Sequence, residues 1–574
     1  MRRSILVLSR GLLISVQIGG VVWAQAAAQV NGTVKDRAGA ATAVQLDLKS
    51  ATIADLNAAF KKGTLTAEKL TALYLARIAA YDKQGPAINA VISLNPNALA
   101  EAKALDAERK AGKTRGPLHG VPLVLKDLYN TFDLPTTAGS QLLAGSVPPA
   151  DAFVVKKLRD AGAIILAKVN MSEFASGGGS VLGAKDLAIL KAGVVPDGFS
   201  SMGGQTRNPH DLARGPGSSS GGTGAAIAAA FAQFGLGTDT AGSIRGPSAA
   251  NGIVGLKTTL GLVSRNGIVP LASFDTAGPM ARNVYDIAIV LGVMAGSDPA
   301  DASTKQSAGK VETDYTKFLK AGSLKGARIG IGRDFSGRDP ETIRITEESI
   351  ATLKKLGAVV IDPVRYPAYL LQIKQPLFTL IRNSEFKALI ADYLKTLKPG
   401  YPRTLDELIA KASDPKTGYR SPEKLVGLKY TASVALDLND PVYLAAKNQG
   451  VMALKSSLQA IFVKHRLDAI VYPTANRPTS LIKPSDAPAG VADGASAGTG
   501  AGESAALFAD ESGFPEIIVP AGMTKDGLPV TLSFLGQAFS EPKLLGYAYD
   551  FEQATRARVL PKNTPALPGD TIPQ

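Results

Sequence analysis

Between Arg214 and Gly224 the chain reads Arg-Gly-Pro-Gly-Ser-Ser-Ser-Gly-Gly-Thr-Gly and then runs straight into small apolar residues from Ala225 to Phe234. Few folds can use such a segment. Glycine at this density permits backbone angles and close approaches that other residues refuse, and an alanine-rich apolar run of ten residues predicts a closely packed helix over 225–234. A flexible glycine-serine linker would continue as polar low complexity, and this segment does not. A phosphate-cradling loop needs a strand before it and a Gly-Lys-Ser or Gly-Lys-Thr ending, and neither is present. Gly217-Ser218-Ser219-Ser220-Gly221 formally satisfies the Gly-x-Ser-x-Gly nucleophile elbow. That elbow sits on a strand-to-helix turn, however, and the Asn208-Pro209-His210-Asp211 that precedes it here reads as loop. On its own the segment leaves these readings open.

Composition narrows the chemistry that such a loop could serve. The chain has 574 residues, 45% hydrophobic and 20% charged, which is apolar enough to bury a large core. Without a repeat of 20–50 residues, disordered, coiled-coil and solenoid classes fall away. Cysteine is absent, so thiol nucleophiles, cysteine zinc sites, iron-sulfur clusters and disulfides are excluded. The three histidines, His119, His210 and His465, leave little for a histidine metal cage, and no metal or cofactor is expected. Catalysis must then rest on oxygen, lysine or carboxylate. The formal charge of +14 is scattered rather than gathered into a basic stripe with aromatics, which argues against nucleic acid as a partner.

Part of that charge lies at the start. Arg2, Arg3 and Arg10 precede an apolar run from Gly11 to Trp23, followed by Ala24-Gln25-Ala26-Ala27-Ala28, and residues 1–28 read as a secretory signal peptide. The run is shorter than the roughly 18–20 residues that a bilayer span requires, and no later stretch is long enough, so no membrane span is expected. The expected location is outside the cytoplasm, periplasmic or secreted. Arg2-Arg3-Ser4-Ile5-Leu6 loosely resembles a twin-arginine signal without completing the motif.

Residues 29–45 are small and polar, a linker, and the fold begins near Leu46. Helical periodicity marks Ile53 to Lys61 and Ala67 to Tyr81. Gly120 to Lys126 is an apolar run of strand length that ends in a cation. A helix from Ala152 to Ala161, a stop at Gly162 and a buried strand from Ala163 to Ala167 follow, and the same order recurs at Glu347 to Leu356, Gly357 and Ala358 to Ile361. Further apolar runs at Ala327 to Ile331, Ala469 to Tyr472, Ile517 to Val519 and Val530 to Leu535 predict one large sheet covered by helices, an α/β fold. Residues 184–198 and 487–504 read as loops that could border a site.

The residues after the serine loop carry a resemblance. Gly235-Leu236-Gly237-Thr238-Asp239-Thr240-Ala241-Gly242-Ser243-Ile244-Arg245-Gly246-Pro247 and Gly252 to Lys257, taken with Gly217 to Gly224, closely resemble the amidase signature family, serine hydrolases of amide bonds. The likeness extends to His119 to Pro122 with Lys126-Asp127, to Gly204 to Pro209, and to Val519 to Gly522 with Gly527 to Pro529, so it spans about 50–555. It implies one catalytic domain over 46–574, built on a large mixed β-sheet with helices on both faces. Within it lie a signature core near 120–290, a helical or inserted region near 300–460 and a completion of the sheet near 461–555. It also implies a Ser-Ser-Lys triad. Ser243 matches the nucleophile, Ser219 the bridging serine that the family holds in a cis peptide, and Lys126 the base, with a small-molecule amide as substrate. Two residues depart from the usual family wording: Ser218 and Ala241 stand where glycine is common, and Ala241 adds a methyl group beside the presumed oxyanion hole.

These residue types suit the chemistry. A serine hydroxyl is a weak nucleophile until a neighbour accepts its proton, and lysine is the neutral base left by this composition. Its pKa must fall from about 10.4 to about 7–8, which burial at the end of the apolar run Val121 to Leu125 can bring about. Ser219 can relay a proton because a hydroxyl both donates and accepts. Glycines at 217, 221 and 222 are expected to take the backbone angles of the loop. The backbone N–H groups of Thr240, Ala241, Gly242 and Ser243 are the expected oxyanion hole. Asp239 and Arg245 are expected to pair and hold this turn. The competing readings are an amidotransferase A-type subunit, a non-catalytic protein of the same fold, and an exported esterase or carbamate hydrolase. No motif sets the size of acyl or amine group, or the oligomeric state.

Overall fold

A computed structural model of the chain describes residues 45–176, 196–270, 272–482 and 504–573. The signal-peptide reading of 1–28, the linker of 29–45 apart from its last residue, and most of the loops 184–198 and 487–504 lie outside the described residues. Residues Val44–Gln574 form one compact unit.

Among the described residues, eleven strands join in one mixed sheet. In chain order they are β1 (Val91–Leu94), β2 (Pro122–Lys126), β3 (Ile164–Val169), β4 (Phe234–Asp239), β5 (Val254–Lys257), β6 (Thr276–Ala281), β7 (Arg328–Gly332), β8 (Val359–Val364), β9 (Ala469–Pro473), β10 (Glu516–Met523) and β11 (Pro529–Leu535). Across the sheet they run β8-β7-β9-β11-β10-β5-β6-β4-β2-β3-β1. Pairing is parallel through β8-β7-β9 at one wing and through β4-β2-β3 at the other. The middle, from β9 to β4, is antiparallel, as is β3 with β1.

The parallel wings follow from the helix-glycine-strand order legible in the sequence. The helix Phe153–Asp160 leads through Gly162, at φ 81°, into β3, and the helix Pro340–Lys355 leads through Gly357, at φ 88°, into β8. Parallel neighbours need such crossovers, whereas antiparallel ones accept short turns. Every residue of β2, β3 and β4 is buried. Because successive side chains point to opposite faces, both faces of this wing are covered by helices. Residues 300–460 are not solely helical, since β7 and β8 form one edge of the sheet there.

One expected boundary is displaced. The helix after the serine loop occupies Gly221–Ala228 rather than 225–234, and Phe234 instead opens β4. The reason is tertiary. Arg77, on the helix Ala67–Tyr81, donates to the carbonyl oxygens of Ala229 (2.8 and 3.1 Å) and Ala230 (3.1 Å), satisfying the acceptors at the helix end where the chain turns. The central strands β4 to β6 were not legible as strands either, because Phe-Gly-Leu-Gly-Thr-Asp and Thr-Ala-Gly-Pro-Met-Ala are rich in residues that strands disfavour.

Candidate active site

Lys126 is the last residue of β2 and lies beside the parallel strand β4, which ends at Asp239. The carboxyl ends of two parallel strands thus meet, the usual place for a site on such a sheet. The Lys126 side chain is fully enclosed, 0% exposed. Its Nζ lies 2.8 Å from Ser219 Oγ and 2.9 Å from Thr238 Oγ1. Burial lowers its pKa from 10.5 to about 7, with the charges of Asp239 and Asp275 opposing the fall. At neutral pH the amine is therefore divided between its charged and neutral forms.

Ser219 is reached through a cis Ser218–Ser219 peptide, as the resemblance implies, and its carbonyl accepts the Ser172 N–H at 3.0 Å. Of the three glycines expected to supply unusual angles, only Gly217 does, at φ 75°. Gly221 and Gly222 are needed for close approach instead, and a Cβ on Gly222 would stand 2.2 Å from the Asn170 carbonyl oxygen. The helix end is thereby pressed against the backbone that follows β3, which locates the serine loop over Lys126.

Ser243 lies in the turn between β4 and the helix Arg245–Asn251 and borders a cavity also lined by Ser218, Thr240, Ala241 and Gly242. Its carbonyl accepts the Ser220 N–H at 3.2 Å, which ties the two serine loops together. Among the described residues no hydrogen bond joins the Ser219 and Ser243 hydroxyls. The Lys126–Ser219 leg of the expected relay is in place, and the Ser219–Ser243 leg is open.

The turn itself is held by Asp239. Its carboxylate accepts the backbone N–H groups of Gly242 (2.7 Å), Ile244 (2.9 Å) and Arg245 (3.2 Å) and receives Arg245 Nε (3.1 Å) and Nη2 (2.9 Å). Burial alone would raise the Asp239 pKa, but Arg245 and these donors outweigh it and hold the group ionised, well below the usual carboxylate range. The pairing of Asp239 with Arg245 is present, and it is part of a larger cluster. Arg245 also meets Glu516 at 2.7 Å and Asp510, whose carboxyl is pushed far up by burial. Of the four amides expected to form an oxyanion hole, that of Gly242 is engaged by Asp239 instead. Ala241 is exposed on the cavity wall, so its methyl group does border the site.

Two contacts had no signal in the sequence. Thr238, on β4, holds the Lys126 amine, and that depends on strand order. Asp275 accepts the Thr240 hydroxyl and the Ala272 N–H (2.7 Å), fixing the Thr240 end of the turn, and burial raises its pKa to about 6. The histidines stand apart: His119 Nε2 is 2.9 Å from the Leu105 carbonyl oxygen, and His210 Nε2 is 3.2 Å from that of Asn251. Burial lowers the His210 pKa to about 4, and no histidine is among the described residues lining the cavity. A histidine-dependent elbow therefore has no base here.

The surrounding chain matches known proteins along most of its length. The amidase family profile matches residues 69–545. A probable amidase of Arabidopsis thaliana is 34% identical over 522 residues, covering 90% of this chain and 92% of the relative. The A-type subunit of a glutamyl-tRNA(Gln) amidotransferase from Thermoanaerobacter pseudethanolicus is 35% identical over 535 residues, covering 90% and 99%. Among solved structures, the native peptide amidase of Stenotrophomonas maltophilia superposes with a TM-score of 0.78 at 38% identity, covering 90% of this chain and 99% of that one. With the family profile matched over most of the chain and a solved peptide amidase superposing on it, the chain belongs to the amidase family of amide-hydrolysing enzymes.

Proposed function

We propose that this amidase cleaves a small carboxylic amide to the acid and ammonia or an amine through an acyl-enzyme on Ser243. The observation that carries the reading is the enclosed Lys126 amine, brought to a pKa of about 7 by burial and 2.8 Å from Ser219. Neutral Lys126 takes the Ser219 proton as Ser219 takes that of Ser243. The Ser243 oxygen bonds to the amide carbon, and the relayed proton goes to the leaving nitrogen as the C–N bond breaks. Water, deprotonated by the same relay, then releases the acid. The second leg of the relay forms with substrate in place, since catalytic hydrogen bonds are often open in unliganded enzymes. The amides of Thr240, Ala241 and Ser243 receive the developing oxyanion, where loss of one donor typically costs about 100- to 1000-fold in rate.

The test is a serine-directed phosphonate followed by mass spectrometry of the labelled peptide. Label on Ser243 is expected, and label elsewhere would defeat the assignment. A second reading, glutaminase work within an amidotransferase complex, is favoured by the similarity to the amidotransferase relatives. It is separated by assaying the purified chain alone, because a free-standing amidase turns over without partners. The charged and apolar pattern of residues 1–28 supports export, and cell fractionation with N-terminal sequencing of the mature protein tests it. Among the described residues no helix is long and apolar enough to cross a membrane.

A further inference from the structure

Arg382 stands midway along the helix Ala368–Lys395 and lines the same cavity as Ser243, Ser218 and Thr240. It is buried, 8% exposed. A guanidinium carries five N–H donors, yet among the described residues Arg382 makes one hydrogen bond, from Nη2 to the Ala175 carbonyl oxygen at 3.2 Å, and no ion pair. The Phe378 ring lies 5.7 Å from its Cζ. The contrast with Arg245 is direct, since that guanidinium, also buried, meets three carboxyl groups.

The acids near Arg382 are engaged elsewhere. Glu385, one turn along the helix, receives Lys447 Nζ (2.8 Å), the Tyr443 hydroxyl (2.9 Å) and the Ser273 N–H (2.8 Å). Asp275 holds Thr240 and Ala272, and Glu173 accepts from the Tyr419 hydroxyl (2.6 Å) and the Ser201 N–H (3.3 Å). Burial lowers the Arg382 pKa against the opposing charge of Asp275, which lines a small pocket with it but forms no ion pair with it among the described residues. A buried cation without a counter-charge in contact is costly, so its place on the wall of a substrate cavity implies that the partner arrives with the ligand.

We propose that Arg382 is a specificity-determining residue: it binds a second oxygen acceptor of the substrate, a carbonyl or carboxylate separate from the amide that is cleaved. The enzyme then selects amides whose acyl part is itself polar over plain aliphatic ones. This rests on the reading that the cavity beside Ser243 takes the amide.

Three primary amides make the comparison: hexanamide, with no second acceptor; N-acetylglycinamide, with a neutral carbonyl; and succinamate, with a carboxylate. Ammonia release gives kcat/KM for the full-length enzyme, for Arg382→Gln and for Arg382→Lys. In Arg382→Gln, the ratio of kcat/KM for the better oxygen-bearing amide to that for hexanamide should fall by about 10- to 100-fold, mostly through KM, the range expected for a lost charge-assisted hydrogen bond. Arg382→Lys should recover part of that ratio, and if Arg382→Gln does not fold, a smaller fall in Arg382→Lys carries the same test. A larger fall for succinamate identifies the carboxylate as the ligand, and a larger fall for N-acetylglycinamide identifies the carbonyl. A ratio unchanged within about 2-fold in both variants, with all three amides affected alike, overturns the proposal. Calorimetric binding of the same amides to Ser243→Ala reads recognition without turnover, so an error in the nucleophile assignment would leave this comparison intact.

Discussion

If Lys126 is the general base, the pH dependence of the reaction is its titration curve. Burial brings its pKa from 10.5 to about 7. A fall of that size corresponds to about 5 kcal/mol of selective penalty on the ammonium at about 1.4 kcal/mol per unit. At pH 7 about half of the enzyme then holds a neutral amine, against about one molecule in 3000 for an unperturbed lysine. kcat/KM should rise with a slope of one below pH 7 and level off above it. Lys126→Arg should be inactive throughout, because a guanidinium stays charged.

The same titration has a signature in stability. The folded pKa lies below the unfolded one, so between about 7 and 10.5 the unfolded chain binds more protons and stability rises with pH. Below 7 the full penalty is present. The stability difference between Lys126→Met and wild type should therefore move in favour of the variant by about 3 kcal/mol as pH falls from about 9 to about 6. Steady-state rates across pH 5.5 to 9.5, with denaturant unfolding at both ends, measure the two effects. A kcat/KM that is flat or falling between pH 6 and 8, with an unfolding difference independent of pH, would refute the argument.

Other expectations follow from the same contacts. Ser243→Ala should lose all phosphonate labelling, and Ser219→Ala should retain a slow residue of it, since Ser219 relays a proton without forming the bond; equal labelling in both would contradict the roles. Thr238→Val removes the hydroxyl 2.9 Å from the amine and should lower kcat about 10- to 100-fold while moving the pH inflection down, because the ammonium loses an acceptor. Asp239→Asn removes a charge that raises the Lys126 pKa, so the inflection should again move to lower pH, and disturbing a buried ion cluster should cost about 3–5 kcal/mol in an unfolding titration. Gly222→Ala places a Cβ 2.2 Å from the Asn170 carbonyl oxygen and should cost about 1–3 kcal/mol or prevent folding, and an unchanged melting temperature would show that the serine loop is not pressed there.

The sequence by itself determined the class of fold and most of its outer strands, and it offered the candidate residues of the site. Helix periodicity, glycine stops and apolar strand runs are local, and they place the helices Ile53–Lys62 and Ala67–Tyr81 and the strands β2, β3, β7 to β11 within a few residues. The absence of cysteine and the scarcity of histidine left lysine as the candidate base, and the resemblance carried by the signature around Ser219 and Ser243 implied its partners. What tertiary structure decided is which groups face one another. β4 to β6 take their strand form from buried neighbours rather than from propensity, and Thr238 reaches Lys126 because β4 lies beside β2. Gly242 turns its N–H to Asp239, Asp275 secures Thr240, and Arg382 is left without a carboxylate, all through contacts that the tertiary fold brings about. Local pattern is written in the order of residues, whereas burial, pKa and hydrogen-bond partners arise only where segments pack.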